Sequence, residues 1–234
     1  MSRSAGPGRR TRSARRDATR ELILTTAERL FAEHGIEVVS NRQISEAAGQ
    51  GNNAAVNYHF GTKADLVRAI MRGHNEDIEL LRARQIAEIG VPPGIRDWVT
   101  CLVRPVTRHL ASLGAPSWFG RFATQVTTNP AYRGLMEADA LGSHALVETV
   151  EGLDRSLPGL PADVRAERHE MARQLLVHML AQREAVFARD PLAAPPDWES
   201  AATRLIDAIV GLWLAPVSGP DRGRGPEVHP ISPR

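Results

Sequence analysis

The chain has a single cysteine, Cys101, so no internal disulfide can form. That fits a reducing cytoplasm, the expected location. Cys101 stands in an apolar stretch and reads as a small core residue rather than a reactive thiol. No apolar run approaches the ~20 residues that a membrane-spanning helix needs, so no membrane partner is expected. The N-terminal segment is rich in arginine and lacks an apolar core, so it does not read as a secretory signal. No stretch alternates apolar and polar residues convincingly with period two, which argues against strands. Lysine is nearly absent: Lys63 stands alone against 28 arginines. No nucleophile elbow or phosphate loop is present, and His109, His144, His169 and His178 lack a metal-binding spacing such as His-Glu-x-x-His. No enzyme, metal site or cofactor is therefore expected.

Apolar residues make up 42% of the 234, enough for a substantial core. The formal net charge of +2 hides an asymmetry. Residues 1–20 hold seven arginines against one acid, Asp17, which leaves the remainder net acidic. A basic arm on an acidic body suggests a polyanionic partner, or else a solvated tail. Residues 1–16 and 216–234 lack apolar periodicity and read as a disordered basic arm and a disordered tail.

Between these ends nearly everything has helical period, so the fold is expected to be all-α. A first helix is expected from about Ala18 to His34, with Ile23, Ala27, Leu30 and Phe31 on one face and Gly35 as its stop. Ser40 with Gln43 forms a capping-box pattern for a short second helix that buries Ile44, Ala47 and Ala48 and ends at Gly49. A third helix runs from Asn53 to Phe60. Thr62 with Asp65 opens a long fourth helix that ends near Ile89. The break at Gly90-Val91-Pro92-Pro93-Gly94 marks a junction. Five more helices are expected, at about 95–112, 117–127, 130–155, 162–188 and 197–214, with a kink at Pro105.

Two short helices joined by a glycine-containing turn and braced by a longer one form a helix-turn-helix, a geometry that sets the second short helix into the major groove of DNA. The wording here is more telling than the pattern: Ala27 with Leu30-Phe31-Ala32-Glu33-His34-Gly35, then Ile44, Ala47-Ala48-Gly49, Tyr58-His59-Phe60-Gly61, Lys63 and Leu66. This stretch strongly resembles the DNA-binding region of the tetracycline-repressor (TetR) family. The resemblance implies a DNA-binding unit over residues 17–66 and a helical effector-binding and dimerisation domain over 67–215. It further implies a homodimeric repressor released from a palindromic DNA operator by a small-molecule effector. The segment Gln50 to His59 is one residue longer than the family's common form, and Asn57 stands where that form places a tyrosine.

On the residues themselves, Asn53 and Asn57 are expected to face DNA, since an asparagine amide can pair with a base edge. Asn52 is read as a cap. Ala54 and Ala55 are small enough to allow close approach, while Val56 and Phe60 face inward. Tyr58 is a phosphate contact by resemblance; His59 either reaches phosphate or packs. Lys63 lies in the first turn of a helix, a poor place for a cation unless an anion is near, and the resemblance makes it a phosphate grip. Arg42 and Gln43 are further phosphate candidates, although Gln43 can serve only its cap. Arg9, Arg10, Arg12, Arg15 and Arg16 on the arm are candidates for minor-groove contact.

In the second domain, Trp98, Leu102, Trp118, Phe119, Phe122 and Met136 are candidate lining for an effector pocket, or else core. Leu176, Leu180 and Phe187 on one helix, with Leu205, Ile209 and Trp213 on the last, are the candidate dimer interface. The last helix is apolar almost all round, which calls for burial on every side. Part of that burial can be intramolecular.

Overall fold

The computed structural model describes residues 7–51, 54–140, 142–190 and 196–217, which form ten α-helices and no strand. The first four are α1 (Pro7–His34), α2 (Asn41–Ala47), α3 (Ala55–Phe60) and α4 (Lys63–Ala87). Helix α1 begins at Pro7, well ahead of the expected start at Ala18, so the described part of the arginine arm is helix rather than disordered chain. Arginine and alanine are good helix formers, and a proline at the first helical position gives up an N–H that has no intrahelical partner. Both predicted capping boxes form: Ser40 with Gln43 opens α2, and Thr62 with Asp65 opens α4. Gly61 ends α3 at φ 81°, in the left-handed region that a side chain disfavours. Ile23, Ala27 and Phe31 of α1, Ile44 of α2, Val56 of α3 and Leu66 of α4 are fully buried together.

The remaining helices are α5 (Ile95–Leu113), α6 (Phe119–Thr128), α7 (Pro130–Ala140), α8 (His144–Arg155), α9 (Ala162–Arg189) and α10 (Trp198–Leu214). The single helix expected at 130–155 is two. A tertiary contact explains the break: Glu79 of α4 accepts hydrogen bonds from the Ser143 hydroxyl and from the Ala145 amide at 2.6 Å. The carboxylate thereby satisfies the orphan N–H groups of a new helix start.

Helix α5 is central and packs against α4, α8 and α10. Pro105 sits inside it without ending it. The Trp98 ring lies directly on Gly152 of α8, so close that a Cβ there would fall 2.3 Å from the indole. Three other buried charges are spent on backbone groups. Arg82 of α4 reaches the Cys101 carbonyl, Arg168 of α9 donates to the Trp213 and Ala215 carbonyls at 2.7 Å each, and Glu184 of α9 receives the Gly120 and Arg121 amides at the start of α6. Each joins two helices through hydrogen bonds that a helix interior or end leaves unmade.

Candidate nucleic-acid interface and internal cavities

The capping box that starts α2 engages Gln43. Its Oε1 accepts the Ser40 amide at 2.8 Å, so this side chain serves the cap. Arg42 is exposed and lies 3.5 Å from Glu46 one turn on. On α3, period 3.6 divides the residues cleanly. Ala55 and Val56 are buried; Ala54, Asn57 and Tyr58 share the exposed face, Tyr58 at 75% exposure. Ala55, expected at the DNA surface, is therefore a core residue: it is buried with Val56 on a helix that packs against α2 and α4. Phe60 is half-buried with the Arg20 guanidinium 5.0 Å over its ring. His59 is half-buried, edge-on to Tyr58. Asn53 lies outside the described residues.

Asn57 is not free on this face: the Asn41 Nδ2 of α2 donates to its Oδ1 at 2.7 Å. Lys63 is also engaged. Its ammonium donates to the Ile36 carbonyl at 2.9 Å and lies 3.5 Å from that of Glu37, just past the end of α1. Those carbonyls supply the negative partner that a cation in the first turn of a helix requires. Arg15 and Arg16 are exposed on α1, while the side chains of Arg9, Arg10 and Arg12 lie outside the described residues.

Two short helices at a fixed angle, braced by α1 and presenting one exposed face, make a helix-turn-helix. Residues 23–70 match the family described as "Bacterial regulatory proteins, tetR family". The family match covers the N-terminal unit alone.

Among curated proteins, the chain is 30% identical over 118 residues to the HTH-type transcriptional repressor AcnR of Corynebacterium glutamicum, a match that covers 49% of this chain and 54% of that protein. The AcnR of Corynebacterium efficiens is 43% identical over 54 residues, 23% of this chain and 28% of the relative. The chain thus spans at most about half the length of the curated relatives it matches. A likeness in fold extends further than the matched segment. The crystal structure of NalD of Pseudomonas aeruginosa, "the secondary repressor of MexAB-OprM multidrug efflux pump", superposes with a TM-score of 0.50 at 22% identity, over 83% of this chain and 94% of that one.

Behind the TetR-type unit lie two cavities. The larger, about 810 Å³, is walled mainly by apolar side chains, among them Met71 and Ile78 of α4, Val106 and Leu110 of α5, and Leu176 and Leu180 of α9. Of the expected pocket residues whose side chains are described, Phe119 alone is among its walls. Trp98 is packed on Gly152, Leu102 belongs to the core, and Phe122 is fully buried with its ring 6.0 Å from that of Phe31. The side chain of Met136 lies outside the described residues. Trp118 lines the second, more polar cleft of about 600 Å³ between α1, α4 and the α5–α6 turn.

That cleft contains a chain of hydrogen bonds. The Glu28 carboxylate of α1 lies 3.1 Å from His74 Nε2, and His74 Nδ1 lies 2.8 Å from His109 Nε2. Burial, reinforced by the neighbouring His74, pushes the His109 imidazole down to about 4, so it is neutral near pH 7. The Phe119 ring stacks on His74 with centroids 4.1 Å apart. Phe119 thus links the wall of the larger cavity to His74, which lines the cleft.

Helix α6 also touches the end of α1. Gln125 Nε2 donates to the Phe31 carbonyl at 2.7 Å, and its Oε1 accepts the Ile36 amide at 2.9 Å. Neither Gln125, His74 nor Asn41 was marked by sequence pattern. Their partners are 94, 35 and 16 residues away, beyond any helical repeat.

Leu180, Leu205, Ile209 and Trp213 are already buried within the chain, and Leu176 faces the larger cavity. The apolar stripe of α10 is largely consumed by α5 and α9, whereas Phe187 remains half-buried. Among exposed apolar side chains, Met171 and Val186 of α9 and Leu214 of α10 stand at half or more of full exposure.

Proposed function

We propose that the chain is a DNA-binding transcription regulator: a homodimeric repressor that a small, largely apolar effector releases from a palindromic DNA operator, acting in the cytoplasm. The observation that carries this reading is α6. It presents Phe119 and Ala123 to the apolar cavity while Gln125 holds the end of α1 on its other side. An occupant of the cavity that displaces α6 acts on the helix that braces the reading head. Helix α4 runs from the Lys63 contact to the cavity walls and moves with it. An effector shifts the balance only by binding one arrangement better than the other.

The exposed face Ala54, Asn57 and Tyr58 would enter the major groove, with Arg15, Arg16 and Arg42 placed for phosphates. The apolar lining of the larger cavity favours a ligand whose surface is mostly hydrocarbon. For the dimer, the outer face of α9 around Met171 and Val186, with Leu214 of α10, replaces the inner residues expected from the sequence. A two-fold dimer reads two half-sites related by the same symmetry. The relatives AcnR and NalD are repressors by description, which supports that sign of regulation here.

Selection of bound sequences from a random DNA pool at near-physiological salt tests the reading. Enrichment of a two-fold palindrome is expected. Binding with no enriched sequence, or no binding, overturns it in favour of a partner-binding module.

A further inference from the structure

Asn41 stands directly after the N-cap of α2, half-buried in the gap between α2 and α3. Its side chain donates from Nδ2 to Asn57 Oδ1 at 2.7 Å, and among the described residues its own Oδ1 is buried without a partner. A buried carbonyl left unmade costs stability, and an apolar residue would avoid that cost. Packing is therefore a poor account of an asparagine at this position.

The contact does something specific to Asn57. A primary amide has an accepting end and a donating end, and base edges in the major groove are told apart by which end they meet. With its oxygen drawn toward α2, Asn57 leaves its N–H₂ end for whatever lies on the exposed face. We propose that Asn41 is a positioning residue for sequence reading. It fixes the polarity of the Asn57 amide, so that Asn57 donates to a keto oxygen, guanine O6 or thymine O4, and Asn41 need not touch DNA. This rests on the DNA-reading role of α3 proposed above.

The inference separates from simple bracing because the partner's chemistry can be inverted. An aspartate at position 41 only accepts, so it would draw the Asn57 N–H₂ toward α2 and turn the oxygen outward. It also sits in the first helical turn of α2, where a carboxylate is favourable. The Asn57 contact would then prefer a donor edge, adenine N6 or cytosine N4.

The test is random-pool DNA selection with the full-length chain, Asn41→Ala, Asn41→Asp and Asn57→Ala, with circular dichroism on each. Wild type is expected to favour guanine or thymine about tenfold at one position per half-site, the order of discrimination of one good base contact. Asn57→Ala loses the preference at that position alone. Asn41→Ala flattens it while the rest of the site stays enriched, and Asn41→Asp shifts it to adenine or cytosine. If both Asn41 variants select the wild-type base, or if wild type selects adenine or cytosine at the position that Asn57→Ala erases, the proposal is overturned and the operator reading stands. Loss of helix in the Asn41 variants leaves the decision to the base that wild type selects there. No enrichment by wild type fails the DNA reading and this proposal together.

Discussion

The Arg82 guanidinium donates through Nε to the Cys101 carbonyl at 3.1 Å, and that carbonyl is the one Pro105 leaves without a donor four residues on. Proline removes an N–H that the helix would use. Arginine from the neighbouring helix supplies the missing bond, and desolvation by burial holds its guanidinium below the usual arginine range. Arg82→Leu is expected to lower unfolding stability by about 1–3 kcal/mol, the cost of a buried group left unsatisfied. Pro105→Ala in that background recovers part of the loss, because the alanine amide can donate to the Cys101 carbonyl. Denaturant melts of the two single variants and the double variant measure this coupling, and strict additivity would argue against it.

Of the glycines described, Gly152 leaves the least room for a side chain, because the Trp98 ring lies on it. A methyl at position 152 would sit 2.3 Å from the indole, so Gly152→Ala is expected to destabilise by about 1–3 kcal/mol through overpacking. Trp98→Leu combined with it should be less unstable than the two single losses together predict, since the smaller ring-free side chain makes room. Thermal unfolding of the cycle checks this.

Acid should loosen the contact between α1, α4 and α5. His109 titrates at about 4 when folded and at 6.5 in its ordinary environment, so the unfolded chain takes the proton first as pH falls. Its contribution to stability is whole above pH 6.5 and is lost as pH drops toward 4. Asp77 and Glu28 pull the other way but are outweighed by burial and by His74. The melting temperature of wild type is expected to fall more steeply over this window than that of His109→Gln. Parallel curves would show that His109 is not the group involved.

Gln125 offers a way to separate binding from transmission. Gln125→Leu removes both hydrogen bonds to α1 while leaving the cavity walls intact. The variant should bind an apolar ligand with unchanged affinity but show a smaller ligand-induced loss of DNA affinity. A ligand response equal to that of wild type would place the transmission in α4 instead.

The arginines of α1 should act through charge alone. Replacing Arg15 and Arg16 by alanine is expected to weaken all DNA sequences about equally and to flatten the salt dependence of binding by about 0.9 log units per lost phosphate contact. Affinity measured across a salt series decides it.

Local chemistry was enough to reveal much of the N-terminal unit. The boxes Ser40/Gln43 and Thr62/Asp65, the stops at Gly35, Gly49 and Gly61, and the buried face of Ile23, Ala27 and Phe31 are all written at spacings of three or four residues. A single chain segment carries each of those signals, so the helices and the reading head were legible. The inward turn of Ala55 was not, because a six-residue helix holds too few residues to phase by pattern alone. Tertiary structure decided the rest. It split the helix expected at 130–155 by bringing Glu79 to a new N-terminus, and set Leu176 and Leu180 in a cavity wall. It also joined Arg82 to Cys101, Gln125 to Phe31 and Asn41 to Asn57. An amphipathic pattern tells which face of a helix is buried, but not which of several apolar neighbours buries it. That choice depends on how the helices pack, and here the packing is directed by buried polar side chains whose partners lie far along the chain.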